Sequence, residues 1–154
     1  MTEERIEEND RVYVGEVKDN IPHGEGTITW PEGHSAKGKW EYGRFVRGTV
    51  TWPDGGKDEG EWEGWTLVRG TRTSAKGDKK EGEWEDDKLV RGTITWPDGG
   101  KDEGEWEDGK LVRGTRTWPD GEKYEGELKD NKEWTGRYVR KDGTTSEYKD
   151  GKKI

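Results

Sequence analysis

Carboxylates, two histidines and ten tryptophans are the side chains of this chain able to do chemistry, and their spacing decides which chemistry is open to them. Acid–base work by a carboxylate pair needs two environments that drive the two pKa values apart. The acidic residues instead recur in near-identical stretches: Gly92 to Gly109 reads GTITWPDGGKDEGEWEDG, and Gly48 to Glu63 departs from it by Val50 in place of Ile94. Such repetition writes a surface. His23 and His34 both fall in the first repeat and read as turn residues rather than bases. The absence of cysteine removes thiolate ligands and nucleophiles, and the glycines recur in hairpins, not in a phosphate-cradling loop opening a helix. No catalytic residue, no metal and no cofactor are expected.

Binding by tryptophan is the chemistry that remains, and a repeat positions it. Glycine recurs every 22 residues at Gly26, Gly48, Gly70, Gly92, Gly114 and Gly136, the mark of stacked supersecondary units. With 24% hydrophobic and 42% charged residues in 154, the composition alone points to disorder. The ten Trp and five Tyr argue against it. Each buried indole removes about 150–250 Å² from water, so a few per repeat replace an aliphatic core. The net charge of -8 argues against duplex nucleic acid and against general attraction to anionic lipid, both of which need a basic footprint. The opening MTEERIEEND lacks the apolar core of a signal, so a cytoplasmic location is expected.

One unit, Asp102 to Lys123, alternates with period two in two stretches closed by Asp108-Gly109 and Pro119-Asp120-Gly121, which predicts a β-hairpin. Residues 1–10 read as a charged lead, disordered or briefly helical. Residues 11–154 read as six hairpin units of 22–23 residues plus a short terminal strand. Alternation puts Gly104, Trp106, Val112, Gly114, Arg116 and Trp118 on one face. Glu103, Glu105, Glu107, Arg113, Thr115 and Thr117 take the other. If each Trp-Pro-Asp-Gly turn is centred on its glycine, Gly48 pairs with Trp62, Val50 with Gly60, Gly92 with Trp106 and Ile94 with Gly104. A bare glycine opposite each tryptophan then lets the indole lie across the neighbouring backbone.

Tyr13, Gly15, Val17, His23, Gly24, Gly26 and the Pro31-Glu32-Gly33 turn resemble the pattern of the MORN-repeat family, and the resemblance covers residues 11 to 151. It implies an all-β, elongated single-layer antiparallel sheet of tandem hairpins that acts as a scaffold, often with a peptide or partner in an aromatic groove or with self-association. The family's leading Tyr survives at Tyr13 and Tyr124, while Ala36, Asp58, Lys80 and Asp102 replace it elsewhere.

The groove is expected to be lined by two rows, Trp40, Trp62, Trp84 and Trp106, and Trp30, Trp52, Trp96 and Trp118. Arg72 and Arg116 stand on the same face where sister units carry Ile28, Val50 and Ile94. Internal pairing with Asp58 and Asp102 outweighs capture of an acidic ligand, because a partly buried Arg needs a partner in any case. Ser74-Ala75-Lys76-Gly77 interrupts the second row, as a pocket or as drift at a tolerant turn. Trp65, at a hairpin tip, reads as a contact for a partner or a second copy. The leading expectation is a non-catalytic scaffold for a protein or peptide, or for a second copy of itself. The alternatives are a phosphoinositide adaptor using Lys37, Lys39, Lys79 and Lys80, and sugar binding by stacking on tryptophan.

Overall fold

The computed structural model describes residues 2–154, whose fifteen strands, with no helix among them, each pair antiparallel with their chain neighbours within two successive units. The expected all-β array of tandem hairpins is what the chain forms. With no helix among the described residues, none is long and apolar enough to cross a membrane. The chain divides into two compact units, one ending at Lys76 and one running from Gly77 to Ile154.

The first unit holds β1 (Thr2–Glu8), β2 (Arg11–Lys18), β3 (Ile21–Thr29), β4 (Ser35–Glu41), β5 (Arg44–Thr51), β6 (Lys57–Glu63) and β7 (Thr66–Thr73). The expectation of a disordered or helical lead gives way here: Thr2 to Glu8 pair with β2 along their whole length. Ile6 meets Tyr13 in that register and is the one half-buried side chain of the strand, whose other residues are exposed and are held by backbone pairing to β2. The second unit holds β8 (Lys79–Glu85), β9 (Lys88–Thr95), β10 (Lys101–Glu107), β11 (Lys110–Thr117), β12 (Lys123–Lys129), β13 (Lys132–Val139), β14 (Thr145–Lys149) and β15 (Lys152–Lys153).

The register across the Trp-Pro-Asp-Gly turns differs from the expectation. Gly48 faces Gly60 and Val50 faces Asp58, while Gly92 faces Gly104 and Ile94 faces Asp102. The turn explains the difference. Gly99 donates its N–H to the Trp96 carbonyl at 3.0 Å, and Trp96 donates to the Gly100 carbonyl at 2.8 Å. Asp98, not Gly99, is therefore the centre of the loop. Moving a centre by one residue moves each partner by two, so the pairs change while the faces stay as alternation assigns them.

A second correction concerns Val112. Glu105 pairs with Arg113, but Trp106 pairs with Leu111, so one extra residue on β11 forms a bulge. The bulge turns Leu111 onto the apolar face, where it is 1% exposed, and leaves Val112 half-buried. Leu67, Leu89 and Phe45 occupy the same position in sister hairpins and are equally enclosed. A strict period-two reading cannot find a bulge.

Together these registers align one glycine per strand. Gly15, Gly26, Gly38, Gly48, Gly60 and Gly70 run across the first unit, and Gly82, Gly92, Gly104, Gly114, Gly126 and Gly136 across the second. Indoles lie over this bare backbone: Trp40 Nε1 donates to the Gly26 carbonyl, Trp62 to that of Gly48 and Trp106 to that of Gly92, each at 3.0 Å. Tyr13 and Tyr124 lie across it likewise, donating to the Glu16 and Glu127 carbonyls at 2.6 and 2.7 Å. A core is thereby built in a single layer, from rings laid on strands whose side chains have been removed. Truncating one such indole to alanine is worth about 3–5 kcal/mol.

Candidate functional site

The tryptophans expected to line a groove separate into two sets. Trp40, Trp62, Trp84 and Trp106 are 2 to 5% exposed and form the core just described. Trp30, Trp52, Trp96 and Trp118 sit at the starts of the Trp-Pro type turns, where Trp52 and Trp96 are 41% and 40% exposed and the other two half-buried. Of the two rows, this turn row is the one that presents indole surface to solvent. Sequence spacing places both rows on one face but does not separate them, because burial depends on the glycine row beneath.

In the first unit the turn row is tightly organised. His34 lies flat against Trp30, ring centroids 4.5 Å apart and 11° between planes, and its far face meets Trp52 at 5.6 Å and 24°. An imidazole is thus sandwiched between two successive turn indoles. The rings border a cavity of about 340 Å³ that Arg11, Val50, Trp62 and Trp65 complete. His23, the other histidine, accepts the Tyr42 backbone N–H at Nδ1, 3.1 Å away, and packs on the Tyr42 ring. Both histidines serve turns.

Trp65 does not project from its hairpin tip. It folds back over the aromatic face, stacked on Phe45 at 5.5 Å and edge-on to Trp30 and Trp40 at 5.1 and 5.7 Å. Its φ of 65° is left-handed, where sister tips hold Gly43, Asp87, Gly109 and Asn131. A bulky residue in that region costs about 1–2 kcal/mol, which the three ring contacts offset. The tip is 46% exposed, so one side of the indole stays available.

In the second unit Trp96 and Trp118 border a recess of about 300 Å³ that also includes Asp98, Gly100, Asp102 and Arg116. Arg116 is committed internally: Nε and one terminal nitrogen donate to the two oxygens of Asp102 at 3.0 and 3.2 Å, and the other donates to the Asn131 carbonyl at 3.2 Å. Arg72 makes the corresponding bond to Asp58 at 2.9 Å. Asp58 and Asp102 are almost fully buried, so each guanidinium neutralises a carboxylate that would otherwise be stranded. The other side of Trp118 packs on Tyr138, ring centroids 5.2 Å apart. The Tyr138 hydroxyl donates to Glu122 at 2.7 Å. That bond, helped by burial and by the negative charge of Glu122, pushes the phenol up to about 12.

The opposite face is paired with itself. Arg69 meets Glu61 at 3.3 Å, Arg91 meets Glu83 at 2.9 Å, Arg113 meets Glu127 at 3.6 Å, and Arg137 meets Glu147 at 3.0 Å. Exposed pairs of this kind are worth about 0–1 kcal/mol each, but together they oppose a slipped register. The lysines named for a phosphoinositide do not converge. Lys39 sits beside Glu41 at 4.0 Å, and the adjacent Lys79 and Lys80 point to opposite faces of β8. No cluster of three or more potential metal ligands occurs among the described residues.

A family model described as MORN repeat matches residues 13–35, 37–57, 81–101 and 103–123, more than half of the chain. The third hairpin unit, with Arg72 and the Ser74 to Gly77 turn, lies outside the matched segments. No curated relative matches the chain.

Proposed function

The chain belongs to the MORN-repeat family, and from that premise we propose that it is a non-catalytic interaction scaffold whose turn-row aromatics, Trp52 and the flank of Trp65 in the first unit and Trp96 in the second, each bind a peptide segment or a second copy of the chain. The observation that carries this reading is the contrast between the two faces. One face satisfies its charges in cross-strand pairs. The other leaves large indole surfaces about two-fifths exposed at the turns of each unit, with Trp30 and Trp118 half-buried at the same position of their repeats. Exposed aromatic surface arranged in a row marks interfaces, and tryptophan is enriched among the residues that dominate binding energy.

The test is a pair of variants read by light scattering and by affinity for a captured partner. Trp52→Ala with Trp96→Ala removes contact area while leaving backbone pairing intact, and should weaken self-association or partner binding by about 2 kcal/mol or more. Glu105→Gln on the opposite face should leave both unchanged. The reading fails if the protein is monomeric and the double tryptophan variant retains every partner of the parent.

A further inference from the structure

The first unit shows what a slot between two turn indoles accepts, and the second unit leaves such a slot open. His34 stands four residues after Trp30 and fills the space between Trp30 and Trp52. The position four residues after Trp96 is Gly100, which has no side chain to place between Trp96 and Trp118, and there the recess of about 300 Å³ opens. Four residues after Trp118 stands Glu122, whose partner Tyr138 covers the far side of Trp118. Within the second unit, therefore, the Trp96–Trp118 interval lacks the ring that its counterpart contains.

We infer that this interval is a receptor slot for a flat cationic side chain, an arginine guanidinium presented by a partner segment. This rests on the interaction-scaffold reading and names the partner's chemistry. Three observations converge. The built-in occupant of the equivalent slot is a planar nitrogen heterocycle with an indole on each face. The lining carries two carboxylates, Asp98 and Asp102, against one guanidinium, Arg116, which is already bound to Asp102. Asp98 uses one oxygen to accept the Gly100 N–H at 2.8 Å and is exposed at the rim, so a negative group faces an entering cation. Indole faces attract cations through their quadrupole, and a planar guanidinium can stack flat on such a face where a tetrahedral ammonium cannot.

The experiment uses the full chain, the indole N–H signals of Trp96 and Trp118 in two-dimensional NMR, and capped pentapeptides with a central arginine, citrulline or phenylalanine. Arginine should shift both signals saturably, and citrulline, of the same shape without the charge, should bind about 5–30-fold more weakly. Gly100→His fills the slot from within and should abolish the arginine response. An added Cβ at Gly100 would lie 3.2 Å from Asp98 Oδ1 and 3.3 Å from Pro119 Cδ, so this variant is tight. Asp98→Asn is the second arm: it preserves the turn bond and should weaken arginine alone, by severalfold. Citrulline or phenylalanine binding as well as arginine overturns the inference, as does an arginine response unchanged in both variants. If arginine fails to bind while the Trp52/Trp96 double variant still loses its partner, the scaffold reading stands and the assignment of the occupant falls.

Discussion

Replacing Gly92 with alanine tests the glycine row of the second unit at a position flanked by glycine on both sides. Gly92 has φ of 143°, and a Cβ built there would lie 2.0 Å from the Glu81 carbonyl oxygen and 2.8 Å from the Gly82 Cα, both backbone. Neither neighbour is a flexible chain end, so β8 must move away. The strained φ costs about 1–3 kcal/mol, and the forced strand separation adds overpacking of about 1–3 kcal/mol. Displacement of the Gly92 carbonyl also strains the bond it accepts from Trp106 Nε1 at 3.0 Å. The expected loss is about 2–5 kcal/mol. For a chain of this length that lowers the thermal midpoint by roughly 5–15 °C. Thr93→Ala is the control, since Thr93 lies on the opposite face between Glu81 and Glu103 and makes a marginal 3.4 Å contact with Glu103. It should stay within about 0.5 kcal/mol. Thermal and urea unfolding followed by tryptophan fluorescence measure both. Equal effects at 92 and 93 would refute the claim that bare backbone beneath the indoles is what the single-layer core requires.

Asp102→Ala strands the Arg116 guanidinium and should destabilise the second unit by about 3–5 kcal/mol, whereas adding Arg116→Val recovers most of the loss. The double variant recreates the Ala36–Val50 pair, which is fully enclosed in the first unit, and a double as unstable as the single in urea melts would contradict this reading. Trp65→Gly should be less damaging than Trp65→Ala by about 1 kcal/mol, because glycine relieves the left-handed φ while both lose the ring contacts; the reverse order in thermal melts would show that the tip is unstrained. Tyr138 is raised to about 12 from an ordinary 10.0, first by its bond to Glu122, so its contribution to stability is fully present below pH 10 and is lost as pH rises through 12. Glu122→Gln should move the phenolate absorbance step of that residue back toward 10, and an unchanged alkaline titration would show that Glu122 is not the cause.

The repeat, the hairpins and the two faces are legible in the sequence because each rests on local information. Glycine period, turn residues and two-residue alternation need no knowledge of which strand lies beside which. The faces do not depend on the exact register, because shifting a turn centre by one residue displaces partners by an even number. The pairing of Arg72 with Asp58 and of Arg116 with Asp102 was readable for the same reason, as both registers run through short tips with Gly or Asp. Other features belong to tertiary structure alone. The bulge that buries Leu111 and not Val112, the choice of Trp40 over Trp52 as core, the return of Trp65 onto Phe45 and the insertion of His34 between two indoles all depend on how side chains pack between neighbouring strands, which residue spacing alone does not contain. Identical Trp-containing repeats carry no signal that distinguishes a ring laid on bare glycine from one standing at a turn. Only the alignment of one glycine per strand decides which indole finds a bare backbone to cover and which is left facing solvent.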